Sequence, residues 1–315
     1  MRNHILWNVI IYVIVTSFFL YIWWKQKKLA GIIEKYRIQF GNWIIEKFHV
    51  QAEATKKGIQ RFIDVTEALV TALVLVLVLQ HFYVGNFKIP TPSMVPTIEI
   101  GDRVLANMVV YRFTSPKKED VIVFKEPIED SKNYTKRVIA LPGETIKIEG
   151  NAVYTDNQKN EKRSYSILPS TSDIPRSLME GEEWKVPKKG DHITVVPSTN
   201  YKQLFVENGL NPNEIQKGIM ENAALAFMFM PNLQFYINGE PTGPILDFLH
   251  DNSSLNHLMA GEVVEQDLDQ DYYFVLGDNT DHSADSRIWG FVKKERITGK
   301  VLFRFWPLNR VGFVK

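Results

Sequence analysis

Two long apolar runs near the start of the chain limit what it can fold into. Ile5 to Trp24 reads ILWNVIIYVIVTSFFLYIWW, 20 residues without a formal charge. A helix rises about 1.5 Å per residue, so this run matches a hydrocarbon core of roughly 30 Å. Tyr21, Trp23 and Trp24 then fall where aromatic side chains gather at a bilayer surface. A cleaved targeting leader has a shorter apolar stretch, about 7–15 residues, followed by small residues. Trp23-Trp24-Lys25 stands at that place instead, so a retained membrane span fits better. The second run, Ala68 to Val84, has 17 residues, near the lower limit for a span. Its alternating Leu and Val would also suit a buried strand. The length and the helix-like start at Thr66-Glu67-Ala68 favour a membrane helix.

The charge between the runs orients them. Lys25 to Arg61 carries nine Lys or Arg and three Glu, whereas only Arg2 and the amino terminus precede the first run. Positive charge is retained on the cytoplasmic side. Residues 25–61 are therefore expected in the cytoplasm, and everything beyond about Val84 outside. The apolar residues Ile32, Ile33, Phe40, Trp43, Ile44, Ile45 and Phe48 point to a partly amphipathic helix on the membrane or a solvated linker helix. The whole chain is almost neutral, 37 basic residues against 36 acidic, which gives no reason to expect nucleic acid as a partner. It has no cysteine, which excludes disulfides, thiolate metal sites and cysteine nucleophiles.

Beyond the second run the pattern changes to short strand-like segments separated by turns. They are Arg103–Phe113, Asp120–Phe124, Arg137–Leu141, Thr145–Ile148, Phe235–Asn238, Tyr272–Leu276 and Lys300–Phe305, divided by Pro142-Gly143, Gly150-Asn151 and Asn238-Gly239. The expected fold is mainly β: an antiparallel domain from 85–150 and 272–315, with a smaller α+β or irregular domain inserted at 151–271. Residues 1–84 form the anchor, with spans at 5–24 and 68–84. The insertion is more polar, with a Ser/Thr/Pro-rich patch at Ile167–Ser177 and a helix expected at Asn213–Met230.

Three segments carry chemistry. The first is Pro90-Thr91-Pro92-Ser93-Met94-Val95-Pro96-Thr97, with Gly101-Asp102 after it. Prolines hold such a serine in a stiff extended loop, which by itself describes an ordinary loop serine as well as a nucleophile. The second is Tyr134-Thr135-Lys136-Arg137-Val138-Ile139-Ala140-Leu141-Pro142-Gly143-Glu144. Here a Lys-Arg pair opens an apolar strand. Strand alternation sends the two to opposite faces, so one of them is expected to point inward. The third, Gly277-Asp278-Asn279-Thr280-Asp281-His282-Ser283-Ala284-Asp285-Ser286-Arg287 up to Gly290, could alone be an acidic turn or a weak cation loop.

Together, and in this order after a membrane span, the segments resemble the signature boxes of bacterial type I signal peptidases, the Ser–Lys preprotein-processing proteases. The resemblance covers about Phe87–Glu144 and Tyr272–Pro307. It implies that Ser93 is the nucleophile and Lys136 its general base. A serine hydroxyl needs such a base, and a lysine can serve only if burial lowers its value from about 10.4. It implies an oxyanion hole from the Ser93 N–H and the Thr91 hydroxyl, and Ser283 as the group that orients the amine. Asp278, Asp285 and Arg287 are implied to be structural, the last two as an ion pair. Tyr134, Val138 and Val275 are expected as walls of the site. Many relatives carry serine at the Thr91 position and glycine at the Pro92 position; the first change keeps the hydroxyl and the second stiffens the loop.

The implied reaction is removal of signal peptides with Ala-x-Ala-like cleavage sites at the outer face of the inner membrane, with no metal or organic cofactor. Ser93 follows Val84 by nine residues, at most roughly 30 Å of extended chain, so the site stays near the bilayer. Phe82, Tyr83, Phe303, Phe305 and Trp306 are candidates for lipid contact, the last three equally for a core strand. The rivals are a Ser-His-Asp hydrolase using His282 with Asp278 or Asp281, a metal site at Asp278, Asp281, His282 and Asp285, and an inactive preprotein-binding scaffold. No G-x-S-x-G surrounds Ser93, and H-E-x-x-H is absent.

Overall fold

The computed structural model of the chain describes residues 13–14, 16–18, 20–21, 24–127, 132–149, 152–160 and 182–315. They fall into two compact units, residues 1–84 and 85–315.

The first unit contains helices α1 (Gln26–Lys47) and α2 (Glu53–Phe82). Charged side chains fill the first half of α2, up to Glu67, and the apolar run fills the second. By length and composition Glu53–Gln80 can cross a membrane, its most apolar 18-residue stretch having a mean hydropathy of 2.4, and among the described residues it is the one such helix. The strand alternative for Ala68–Val84 is thereby removed, although the helix stops at Phe82 and Val84 already opens a strand. The α1 helix packs on α2 instead of standing alone. Arg37 lies 3.1 Å from Asp64 and 3.2 Å from Glu67, and Gly41 meets Gln60 so closely that a Cβ there would overlap the amide. The expected span Ile5–Trp24 lies largely outside the described residues; those described within it are helical.

The second unit is built from antiparallel sheets with helices between them. Its strands are β1 (Val84–Lys88), β2 (Arg103–Asn107), β3 (Val121–Lys125), β4 (Asn133–Ala140), β5 (Thr145–Glu149), β6 (Ala152–Thr155), β7 (Gln158–Lys159) and β8 (Glu183–Lys185). There follow β9 (His192–Pro197), β10 (Leu233–Ile237), β11 (Glu240–Thr242), β12 (Val264–Asp267), β13 (Tyr272–Leu276), β14 (Val292–Lys293), β15 (Ile297–Trp306) and β16 (Gly312–Phe313). The main sheet runs β1-β2-β15-β3-β4-β13-β14, with β16 on β15. Two four-stranded sheets, β7-β6-β5-β8 and β11-β10-β9-β12, complete the unit. The β5 strand opens the first of these, so residues 145–149 pair away from the main sheet. Trp184, 2 % exposed, joins this sheet to the main one, its ring edge-on to Phe274 at 6.3 Å and to Phe291 at 6.0 Å.

Some local expectations differ from the structure. Arg103–Phe113 is not one strand: the Asn107 carboxamide accepts from the N–H groups of Val109 and Val110, and this turn starts a short helix at Val110–Phe113. Asn213–Met230 is two helices, Pro212–Glu221 and Ala223–Phe229, because Asn222 between them is extended. The β9 strand was hidden in the polar stretch. Ile167–Ser177 and the Gly150-Asn151 turn lie outside the described residues.

Candidate active site

Ser93 sits in a loop that leaves β1 and returns to β2. The loop is closed at its neck by two backbone bonds, Ile89 N–H to Asp102 O at 2.9 Å and Gly101 N–H to Ile89 O at 2.8 Å. Inside it, Val95 N–H bonds to Pro92 O and Ile98 N–H to Met94 O, so the proline-bracketed segment is coiled rather than extended. Met94 and Ile98 fill its interior and are essentially unexposed. The serine hydroxyl is thus carried on a packed plug.

Lys136 reaches that hydroxyl from the sheet. It pairs with Ile122 across β3 and β4, and its Nζ lies 2.9 Å from Ser93 Oγ. The amine also donates to Thr135 O at 3.2 Å and lies 5.5 Å from the centre of the Tyr134 ring. Phe124 and Trp289 in turn pack on Tyr134. Only 4 % of Lys136 and 6 % of Ser93 are exposed. Burial therefore lowers the amine from its ordinary value to about 8, a shift opposed by the charge of Asp285, aided by that of Arg287 and opposed again by that of Asp278. Thr91 Oγ1 stands 3.4 Å from Ser93 Oγ, and Val138 and Val275, cross-strand partners, are fully buried.

The third segment holds this arrangement in place. Asn279 donates its backbone N–H to Ser93 O at 3.0 Å and its carboxamide to Pro92 O at 3.1 Å. Gly277 lies so close that a Cβ would overlap Ser283 Oγ and come within 2.5 Å of Ser93 O; the position needs glycine for space. Asp285 and Arg287 form a fully buried pair at 2.8 Å. Asp285 accepts the Gly277 N–H, and Arg287 donates to the carbonyls of Thr280 and Ser283, so this pair shapes the whole loop.

Three residues of the site escaped the sequence reasoning. Arg137 points away from Lys136, as alternation requires, but it is just as buried. Its guanidinium grips Asp278 through two bonds of 2.8 and 2.7 Å and also donates to Glu119 O and Lys315 O. One of the pair is expected to point inward; both are buried, because both faces of β4 are covered. Asn279 and Gly277 were visible only as members of a motif. The structure does not bring Ser283 into a hydrogen bond with the amine; it is fully buried, and its Oγ has no hydrogen-bond partner. His282 and Asp281 are exposed, and the Ser93 hydroxyl has Lys136 and Thr91 beside it, not an imidazole. The carboxylates of Asp278 and Asp285 are committed to arginines, and among the described residues no cluster of three or more His, Cys, Asp or Glu could hold a metal ion.

The family model described as signal peptidase, peptidase S26, matches residues 62–207 and 229–306, well over half of the chain. The chain belongs to that family. It is a hydrolase of peptide bonds, a serine endopeptidase. Among its relatives is a signal peptidase I of Aquifex aeolicus, 28 % identical over 232 residues that cover 73 % of this chain and 79 % of the relative. A probable signal peptidase I-1 of Synechocystis is 26 % identical over 251 residues, 78 % of this chain and 82 % of the relative. A signal peptidase I of Pseudomonas fluorescens is 27 % identical over 278 residues, 77 % and 76 % of the two chains. The residues matched by the family model include Ser93 and Lys136.

Proposed function

We propose that this peptidase removes N-terminal signal peptides from exported preproteins with Ser93 as nucleophile and neutral Lys136 as general base. The observation that carries the reading is a water-excluded amine 2.9 Å from a serine hydroxyl. Lys136 takes the Ser93 proton as Oγ attacks the scissile carbonyl. The tetrahedral oxyanion is met by the Ser93 N–H and the Thr91 hydroxyl; loss of one such donor typically costs about 2.7–4 kcal/mol of barrier. The ammonium of Lys136 then protonates the leaving amine, and the same group, neutral again, activates the water that hydrolyses the ester. Asp278, Asp285 and Arg287 hold the surrounding loops.

The substrate is an extended segment with small side chains of the Ala-x-Ala kind, paired along a strand edge with its side chains in shallow apolar pockets. Two spans, 5–24 and a second that ends at Phe82, anchor the enzyme in the inner membrane, with 25–61 in the cytoplasm and the catalytic unit on the outer face. The basic loop and the apolar helix support that orientation. The lipid bilayer is itself a partner, and the exposed apolar side chains Trp306 (50 % exposed), Leu308 (75 %) and Phe313 (76 %) support that contact. The region 151–271 is an insertion between the two catalytic portions.

The full-length enzyme in lipid or detergent, incubated with a model preprotein, tests the reading. Ser93→Ala and Lys136→Ala are each expected to abolish processing while the protein still folds. Retained processing in either would end the Ser–Lys assignment.

A further inference from the structure

The loop that presents Ser93 is held from two sides, and only one of them belongs to the motif segments. On the motif side Asn279 grips the carbonyls of Pro92 and Ser93, and Arg137 reaches the Thr97 hydroxyl at 3.5 Å. On the other side stands Arg304, on β15, outside the three motif segments. Its Nη1 donates to Thr97 O at 2.7 Å and lies 3.5 Å from Asp102 Oδ2. Its Nε donates to Arg310 O at 2.5 Å. Arg310 in turn pairs with Glu99 and lies 3.5 Å from Asp102. Asp102 is 1 % exposed and accepts the Glu99 N–H at 2.8 Å, which closes the far end of the loop.

We propose that Arg304, with Asp102 and Arg310, is a positioning device for the nucleophile: it fixes the far side of the 89–102 loop so that the Ser93 hydroxyl stays on the Lys136 amine. The inference rests on the reading of Ser93 as nucleophile. The loop has no sheet partner between its neck and its tip, so its rigidity comes from the Met94 and Ile98 plug and from these polar grips. Met94 and Ile98 can slide; a planar guanidinium that meets a carbonyl, a carboxylate and a second carbonyl at once cannot do so without breaking a bond. Thr97 lies inside the turn closed by Ile98 N–H on Met94 O, and Ser93 immediately precedes that turn, so a shift of the Thr97 carbonyl is passed to Ser93 through it. Arg304 is 18 % exposed at its side chain and neither faces nor touches Ser93 Oγ; it acts through the loop.

The test is steady-state kinetics of the full chain on a model preprotein peptide, with folding checked by circular dichroism. Arg304→Met, which keeps the stem and removes the fork, is expected to lower kcat by about tenfold or more, as small displacements of a reacting group do. KM and the pH midpoint of the rate are expected to stay at their wild-type values, and Arg304→Lys should restore part of the loss. A folded Arg304→Met enzyme with wild-type kcat overturns the proposal. So does a loss confined to KM, which marks a substrate contact, or a moved pH midpoint, which marks an effect on Lys136. If Arg304→Met does not fold, Asp102→Asn carries the same test: a smaller loss in kcat alone is expected, and unchanged kcat refutes the device. Ser93→Ala is run beside them. Turnover surviving in Ser93→Ala overturns the nucleophile reading itself, whereas an inactive Ser93→Ala with an unaffected Arg304→Met overturns only the clamp.

Discussion

Lys136 and Arg137 are adjacent on one strand, equally out of water, and opposite in consequence. Beneath β4, Arg137 meets Asp278 in a two-bond ion pair with neither side chain exposed. Above it, Lys136 meets a serine hydroxyl, a backbone carbonyl and an aromatic ring, none of them an anion. A buried cation with a bonded partner keeps its proton and serves as a brace. A buried cation without one tends to lose the proton and becomes a base. Burial is common to both; the partner decides which side chain is locked in an ion pair.

The largest effect that sharpens this contrast is on turnover. Lys136→Met preserves length and apolar packing but removes the base, and turnover on a model preprotein is expected to fall about 10³-fold or more. The next effect separates the two faces by stability. Asp278→Ala strands the Arg137 guanidinium, and such losses run about 3–5 kcal/mol, read as a lowered denaturation midpoint. Lys136→Met should instead leave stability unchanged or raise it. A large loss in both variants would break the comparison.

The third effect is its pH dependence. The folded Lys136 titrates at about 8, below its ordinary 10.5. Between those values the unfolded chain binds more protons, so stability gains as pH rises from about 8 to about 10.5. Below about 8 the protonated amine costs the fold about 3 kcal/mol. Lys136→Met should therefore show its stability advantage at neutral pH and lose it in alkali. The rate should rise with pH through about 8, as the amine loses its proton. A rate profile flat across that range would mean that Lys136 is not the group titrating. The smallest effect is the control. His282→Ala, at an exposed loop position, should leave turnover unchanged; loss of activity there would favour an imidazole mechanism over the amine.

Ser93 and Lys136, which meet at 2.9 Å, could be singled out in the sequence because each sits in a short, contiguous segment. The apolar run from Ala68 was legible for a similar reason, since a membrane span is a local property of composition. What joins distant segments was not. Asp278 and Arg137 are separated by 141 positions, and nothing in either neighbourhood names the other. The need for Gly277 lies in two atoms of other residues, Ser283 Oγ and Ser93 O, not in its own backbone angles. The run from Arg103 looked like one strand because hydrophobic periodicity is blind to a side chain such as Asn107 that captures backbone N–H groups. The break at Asn222 escaped for a like reason, since the apolar residues continue across it.

The order of strands in the main sheet has a consequence for synthesis. Between β2 and β3 lies β15, the last long strand of the chain. A ribosome that has released residues through 136 has delivered Ser93 and Lys136, yet the slot beside each of those strands is still empty and the Asn279 tether does not exist. The arrangement around Ser93 cannot close until the segment carrying Asn279 and then β15 have been made.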